Sequence, residues 1–307
     1  RLVIPRSVSP LRAASIAYAL KLPEVVYVDQ LQLLQDEIDA GLLQAFNEIK
    51  EIVTHFELIT SQEEESQSDV AAFISEIRTK ASLGEQDKDI ALLYFSQSDT
   101  DRTQGFLDER RNLLEALEGE VVQLDTLVEH TPKKEWFTRD STIHGTPHIL
   151  RVFVNAELLI GLAKKEGISL DMDAIRKAVM LHDTRRKSDS ASDIKHGERA
   201  AAFSDTLPEL DKTNRELAKQ IMTTHSLDDY DQMLPEEVVM KDADALERYR
   251  FRSGPDWRFI RNEFSQQIAH CAYHLASLSK VYLEYGYTRA EAVYKAGLAL
   301  GIVTAGN

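Results

Sequence analysis

Four amphipathic segments between residues 148 and 252 each carry an imidazole or a carboxylate on or beside an apolar face, and this pattern restricts the fold more than any other in the chain. His148 to Lys165 is apolar on nearly every face and stops at Gly167, which predicts a buried central helix closed by a glycine. From Asp171 a second helix runs through Ile175 and Val179 to His182, a spacing of four and then three that sets His182 on the apolar side. Thr213 and Glu216 fit a capping box for a third helix, in which Leu217, Ile221 and His225 recur at intervals of four. A fourth, from about Glu236 to Arg252, carries Asp242 and Asp244 among Val238, Val239, Met240 and Leu246. Five of the nine histidines fall between positions 144 and 225. A single inward histidine is more often a hydrogen-bonded core side chain than a ligand. A compact set of imidazoles and carboxylates, however, is costly to bury unless a cation neutralises it, so the pattern points to a metal site.

The rest of the chain also reads as helical. Residues 28–56, 69–81 and 103–129 place Leu, Ile, Val and Phe three and four apart with charges between them. Short extended pieces are expected at 1–5 and 24–27, and the Gln-, Glu- and Ser-rich stretch 61–69 is expected to be a solvated loop. The fold class is therefore mostly α. A length of 307 residues favours two domains. Pro132 ends a long helical pattern, so the boundary is placed near 135. Residues 1–135 are read as a helical scaffold or interaction region, suited to a protein partner or self-association, and 136–307 as the metal-bearing domain.

Composition narrows the function. The formal charge of −15 repels polyanions, which disfavours general nucleic-acid binding. A small phosphorylated ligand stays open, because a local basic site is little affected by charges beyond one Debye length. Cys271 is the one cysteine, which excludes an internal disulfide framework and a thiolate zinc cluster and leaves His and carboxylate as metal ligands. There is no apolar run long enough for a membrane span and no signal-like start, so a cytoplasmic protein without membrane association is expected.

The motifs HGTPHILRV, HDTRRKSDSASDIKHGERAAAF and VVMKDADALERY carry a resemblance. Over about residues 141 to 250 the chain resembles the HD-domain superfamily of metal-dependent phosphohydrolases. That resemblance implies a helical domain in which His148, His182, Asp183 and Asp244 hold a divalent ion: Mn, Fe, Co, Zn, Ni or Mg. His196 and His225 extend the order to that of dinuclear members, so one or two ions are implied, with contact to phosphate as the other role for His196. Asp242 and Asp244 point to nearly opposite sides of a helix, and periodicity alone does not choose between them. The resemblance selects Asp244 and leaves Asp242 as a capping or supporting group.

The activity implied is hydrolysis of a nucleotide or another small phosphate ester by a metal-activated water. Arg186 is the expected phosphate-binding cation, because a guanidinium grips phosphate in bidentate fashion, with Lys187 and Arg151 nearby. His144, four residues before His148, and Glu198 are expected to donate protons to the phosphate or leaving group. Asp189 and Asp193 are expected to orient Arg186 or His196. The competing functions are an HD-type di-iron oxygenase using all six ligands and a non-catalytic HD regulatory or binding module. His270 and His274 share a helix face but flank no further ligand candidate, and are set aside.

Overall fold

The computed structural model describes residues 2–5, 25–28, 66–208, 210 and 214–306. It is mostly helical. In chain order the elements are β1 (Leu2–Pro5), β2 (Val25–Val28), α1 (Ser66–Thr79), α2 (Glu85–Gln97), α3 (Thr100–Ala116), β3 (Val122–Gln123) and α4 (Leu124–Glu129). They continue with α5 (Thr146–Lys165), α6 (Met172–Leu181), α7 (His196–Ser204), α8 (Arg215–Thr224), α9 (Pro235–Glu247), α10 (Ala269–Glu284), α11 (Arg289–Leu300) and β4 (Val303–Thr304). Short 3-10 turns at Arg248–Arg250, Trp257–Phe259 and Glu263–Ile268 link α9 to α10.

The chain divides into two compact units, 1–104 and 105–307. The division lies inside α3, thirty-one residues before the boundary placed from the sequence. The reason is packing that a local pattern does not reveal. Glu109 accepts the backbone N–H groups of His270 and Cys271 at the start of α10, at 3.0 and 2.7 Å. Val122 also pairs in parallel with Val303 near the chain end. The stretch 105–135 is thereby part of the C-terminal unit.

In the N-terminal unit the two extended pieces expected from the sequence pair in parallel as β1 and β2, with Leu2 opposite Val25. Phe73 of α1 meets Phe95 of α2 edge to face at 5.0 Å. The helix expected over 28–56 lies outside the described residues. Ser66 already begins α1, so the last part of the expected 61–69 loop is the first turn of a helix, with Asp69 placed favourably for the helix dipole. The pattern over 103–129 is also not one helix. It breaks at Glu118 and Gly119, both with positive φ, and resumes as β3 and α4.

The C-terminal unit is organised by α5. Pro147 sits at its start, where a missing N–H costs nothing, and Gly167 closes it with φ +75°. Ile149, Leu150, Val152, Val154, Leu159 and Ala163 are fully enclosed. α6, α9 and α11 pack against α5, α8 packs on α6 and α7, and α10 pairs with α11. Among the described residues α5 alone is long and apolar enough to cross a membrane, and here it is the covered core helix. The start of α8 also differs from expectation: the residue at its N-terminus is Asn214 in a left-handed conformation, with no side-chain cap, while Thr213 lies outside the described residues. Because Leu159 is fully buried, Leu159→Ala is expected to cost about 2–5 kcal/mol in thermal or denaturant unfolding.

Candidate metal centre

Three of the cluster histidines obey one local rule. His182 and His225 are the residues that end α6 and α8, and each donates its Nδ1–H to the carbonyl three residues earlier, Val179 O at 2.8 Å and Met222 O at 2.7 Å. His196 opens α7 and donates to Asp193 O, again three residues back, at 2.5 Å. The last carbonyls of a helix lack backbone partners, and the imidazole N–H groups of His182 and His225 satisfy those of α6 and α8, whereas Asp193 O lies in the loop before α7 and also accepts the backbone N–H of His196. His148, in the first turn of α5, instead donates Nδ1–H to the buried carboxylate of Glu247 at 2.8 Å.

A carbonyl accepts and never donates, so those bonds fix the protons on Nδ1 and leave each Nε2 bare. All four bare nitrogens face one another. His148 Nε2 lies 3.1 Å from His182 Nε2, and His196 Nε2 lies 2.9 Å from His225 Nε2. Asp183 stands between the two pairs. Its Oδ2 is 3.2 Å from His148 Nε2 and 3.7 Å from His182 Nε2, and its Oδ1 is 3.1 Å from His196 Nε2 and 3.9 Å from His225 Nε2. Asp244 Oδ1 completes the first group, 3.4 Å from His148 Nε2. Lone pairs at such distances with no proton between them repel, and a cation among them turns every contact attractive. The buried His and Asp groups are therefore a set able to hold a metal ion.

In the His148–His182 pair protonation does not relieve the crowding. Burial pushes His182 down to about 3 and lowers His148 and His144 as well. Burial opposes the charge on Asp183, but its neighbour His182 and the hydrogen bond donated by His144 Nδ1–H hold its carboxyl well below the usual range. Asp183 is 2% exposed and Asp244 34% exposed, so the cluster opens to solvent on the Asp244 side.

All six ligand residues read from the sequence, His148, His182, Asp183, His196, His225 and Asp244, thus converge. His144 joins them differently: its Nδ1–H is given to Asp183 Oδ2 at 2.9 Å. Arg186 places Nε 2.7 Å from Asp183 Oδ1. Glu198 is not brought in; it is exposed on the first turn of α7, and Lys187 is exposed too. Arg151 is turned inward, bound to Glu247 and to Ser279, so it does not face a ligand. Asp193 shapes the loop before α7, accepting from Lys187 N, Ser188 N and Arg199 Nη2 while its carbonyl orients His196, and Asp189 pairs with Arg139. Asp242 is fully buried away from the cluster, accepting from Arg261 N, Asn262 N and Ser265 Oγ. That is the supporting role expected of it. His274 is enclosed near Phe106, and His270 lies against Gly105, outside the cluster.

Two residues escaped the sequence reading. Glu247 is fully buried and binds His148, Arg151 and Arg250 together. Arg250 follows on the same side. Their spacing of three and six from Asp244 is the signal, since residues three apart share a helix face. Gly197 is equally constrained. A Cβ there would lie 2.1 Å from Met222 O, the carbonyl that orients His225, so only glycine lets α7 approach α8 closely enough to join His196 to His225.

Two outcomes follow from this geometry. Asp242→Ala is expected to lower the unfolding temperature of the metal-free protein while metal content after loading, by elemental analysis, is kept, whereas Asp244→Ala loses metal with little change in the stability of the metal-free protein; the reverse pairing would refute the assignment. The second concerns acid. His182, His148 and His144 take up protons more readily unfolded, near 6.5, than folded, so their contribution to stability is present above about pH 6.5 and falls away as pH drops towards 3. Glu109, which burial raises to about 7, works the other way between about 7 and its unfolded value of 4.5. Measured on metal-free Glu109→Gln protein, the unfolding temperature should decline from pH 7 to pH 5, above the range where ordinary carboxylates titrate; a flat profile would contradict it. Comparison of the chain with protein families, with curated proteins and with solved structures gives no match.

Proposed function

We propose that this chain is a metal-dependent phosphoric ester hydrolase of the HD type, acting on a nucleotide or another small phosphate ester. The observation that carries this reading is the convergence of six His and Asp ligands with a guanidinium, Arg186, held against the shared carboxylate Asp183. His148, His182, Asp183 and Asp244 would hold one divalent ion, and Asp183, His196 and His225 are the residues for a second. A bound ion supplies Lewis acidity there, acidifying water towards neutrality and offsetting charge on phosphoryl oxygens.

The remaining work falls to the chain itself. Glu247 holds the His148 ring by its Nδ1–H, and the carbonyls of Val179, Asp193 and Met222 hold the other three rings, so no ligand has to reorient. Arg186 is anchored through Nε, which leaves its terminal amines for phosphoryl oxygens. His144 keeps Asp183 ionised and oriented by donating to it. The open Asp244 side is where a substrate reaches the cluster.

The test is elemental analysis of the purified protein with a phosphatase and nucleotide panel under Mn, Co, Fe and Mg. Asp183→Ala is expected to abolish both metal binding and turnover; turnover retained by that variant refutes the proposal. The same six-ligand convergence also favours a second reading, a di-iron oxygenase. Iron loaded anaerobically and then exposed to oxygen would, in that case, develop an absorption and paramagnetic-resonance signature while the ester panel stays inactive.

A further inference from the structure

We propose that Arg250 is an anion-binding residue of this centre and that the ligand it helps to hold is a dianion of the phosphomonoester kind, not the monoanion of a diester. The inference deepens the hydrolase reading, on which it rests for the identity of the ester but not for the charge.

The argument starts from the fixed charges. Asp183, Asp244 and Glu247 are three carboxylates. Three guanidiniums answer them: Arg186 on Asp183 at 2.7 Å, Arg151 on Glu247 at 2.6 Å, and Arg250, also on Glu247. The four imidazoles around them add nothing once a cation is held, because each keeps its Nδ1–H on Glu247 or a backbone carbonyl and offers Nε2 as the ligand atom. The protein's own charges in the cluster therefore cancel. One divalent ion leaves two positive charges uncompensated, and a second leaves four. Uncompensated charge in a site shielded from water on all but its Asp244 side is costly, so the ligand that completes the centre carries at least two negative charges. A phosphomonoester or a terminal nucleotide phosphate does so at neutral pH, and a diester carries one.

The position of Arg250 fits the same conclusion. Its side chain is 11% exposed, its guanidinium lies over the Phe251 ring at 4.3 Å, and one amine is bound to Glu247. Its Nε is buried with no hydrogen-bond partner. It is close enough to Asp244, Asp183 and Arg186 to interact with each electrostatically. A guanidinium beside a cation site is repelled by the cation, and the arrangement becomes favourable when an anion sits between them. Arg186 and Arg250 then contribute two donors to one oxyanion.

The experiment titrates the full chain, loaded with Mn²⁺, with sulfate as a dianion and dimethyl phosphate as a monoanion, by calorimetry. Sulfate is expected to bind about tenfold tighter or more, and to raise Mn²⁺ affinity by the same factor that Mn²⁺ raises its own. Arg250→Gln is expected to weaken sulfate about tenfold with Mn²⁺ content unchanged, measured at a temperature where the variant is fully folded because loss of a Glu247 partner lowers its unfolding temperature, and Arg250→Lys to keep most of the affinity. Dimethyl phosphate binding as well as sulfate to the unaltered protein overturns the inference, as does wild-type sulfate affinity in Arg250→Gln. Selective, Mn²⁺-dependent sulfate binding without turnover of p-nitrophenyl phosphate or any other ester supports it and overturns the hydrolase reading. Faster turnover of bis(p-nitrophenyl) phosphate than of p-nitrophenyl phosphate supports hydrolysis and overturns the dianion.

Discussion

Four proton-free imidazole nitrogens crowded around the Asp183 carboxylate are the constraint to which the C-terminal unit is built. Their contacts of 2.9 to 3.9 Å are unfavourable without a positive charge among them. The fold holds them there because α5, α6, α8 and α9 are tied together by fully buried apolar side chains such as Leu150, Ile175, Ile221 and Leu246. Hydrophobic burial thus sustains an electrostatic arrangement that an isolated fragment would not adopt. An ion that binds the assembled cluster and not the unfolded chain adds directly to stability, by mass action.

Around that core lies a second ring of charges whose partners are chosen with care. Glu247 is the pivot: it joins the ring of His148 on α5 to the guanidiniums of Arg151 and Arg250 without any exposure to solvent. Removing one partner of such a network leaves a buried charge unanswered, which is far more damaging than replacing the whole group. The Asp244 side is different, being the partly open edge, and it is where charge from outside can enter.

Much of this was legible in the residues. The spacing Ile175, Val179, His182 placed the ligand on the covered side of α6, and the all-round apolar sequence of α5 announced a core helix. Both signals are local and periodic, which is why they survive in a bare sequence. The choice between Asp242 and Asp244 rested on resemblance, because two residues on one helix turn carry no absolute phase; the hydrogen bonds of Asp242 to the 261–265 segment supply it. Glu247 and Arg250 went unread because a charged residue near a helix end ordinarily lies in solvent. The unit boundary inside α3 and the pairing of Val122 with Val303 depend on contacts across more than 150 positions, for which no local pattern exists.

The bond from each imidazole to the carbonyl three residues before it has an evolutionary reading. His182 and His225 are aimed by the last turns of their own helices, so their aim does not depend on how the chain travels onward, whereas His196 is aimed by Asp193 of the loop before α7. The loops that follow α6 and α8 are then free to lengthen, shorten or be rewritten, provided the Asp193 turn is kept and the helices still meet. Lineages sharing such a centre would drift apart in the intervals between ligands long before they changed the ligands themselves.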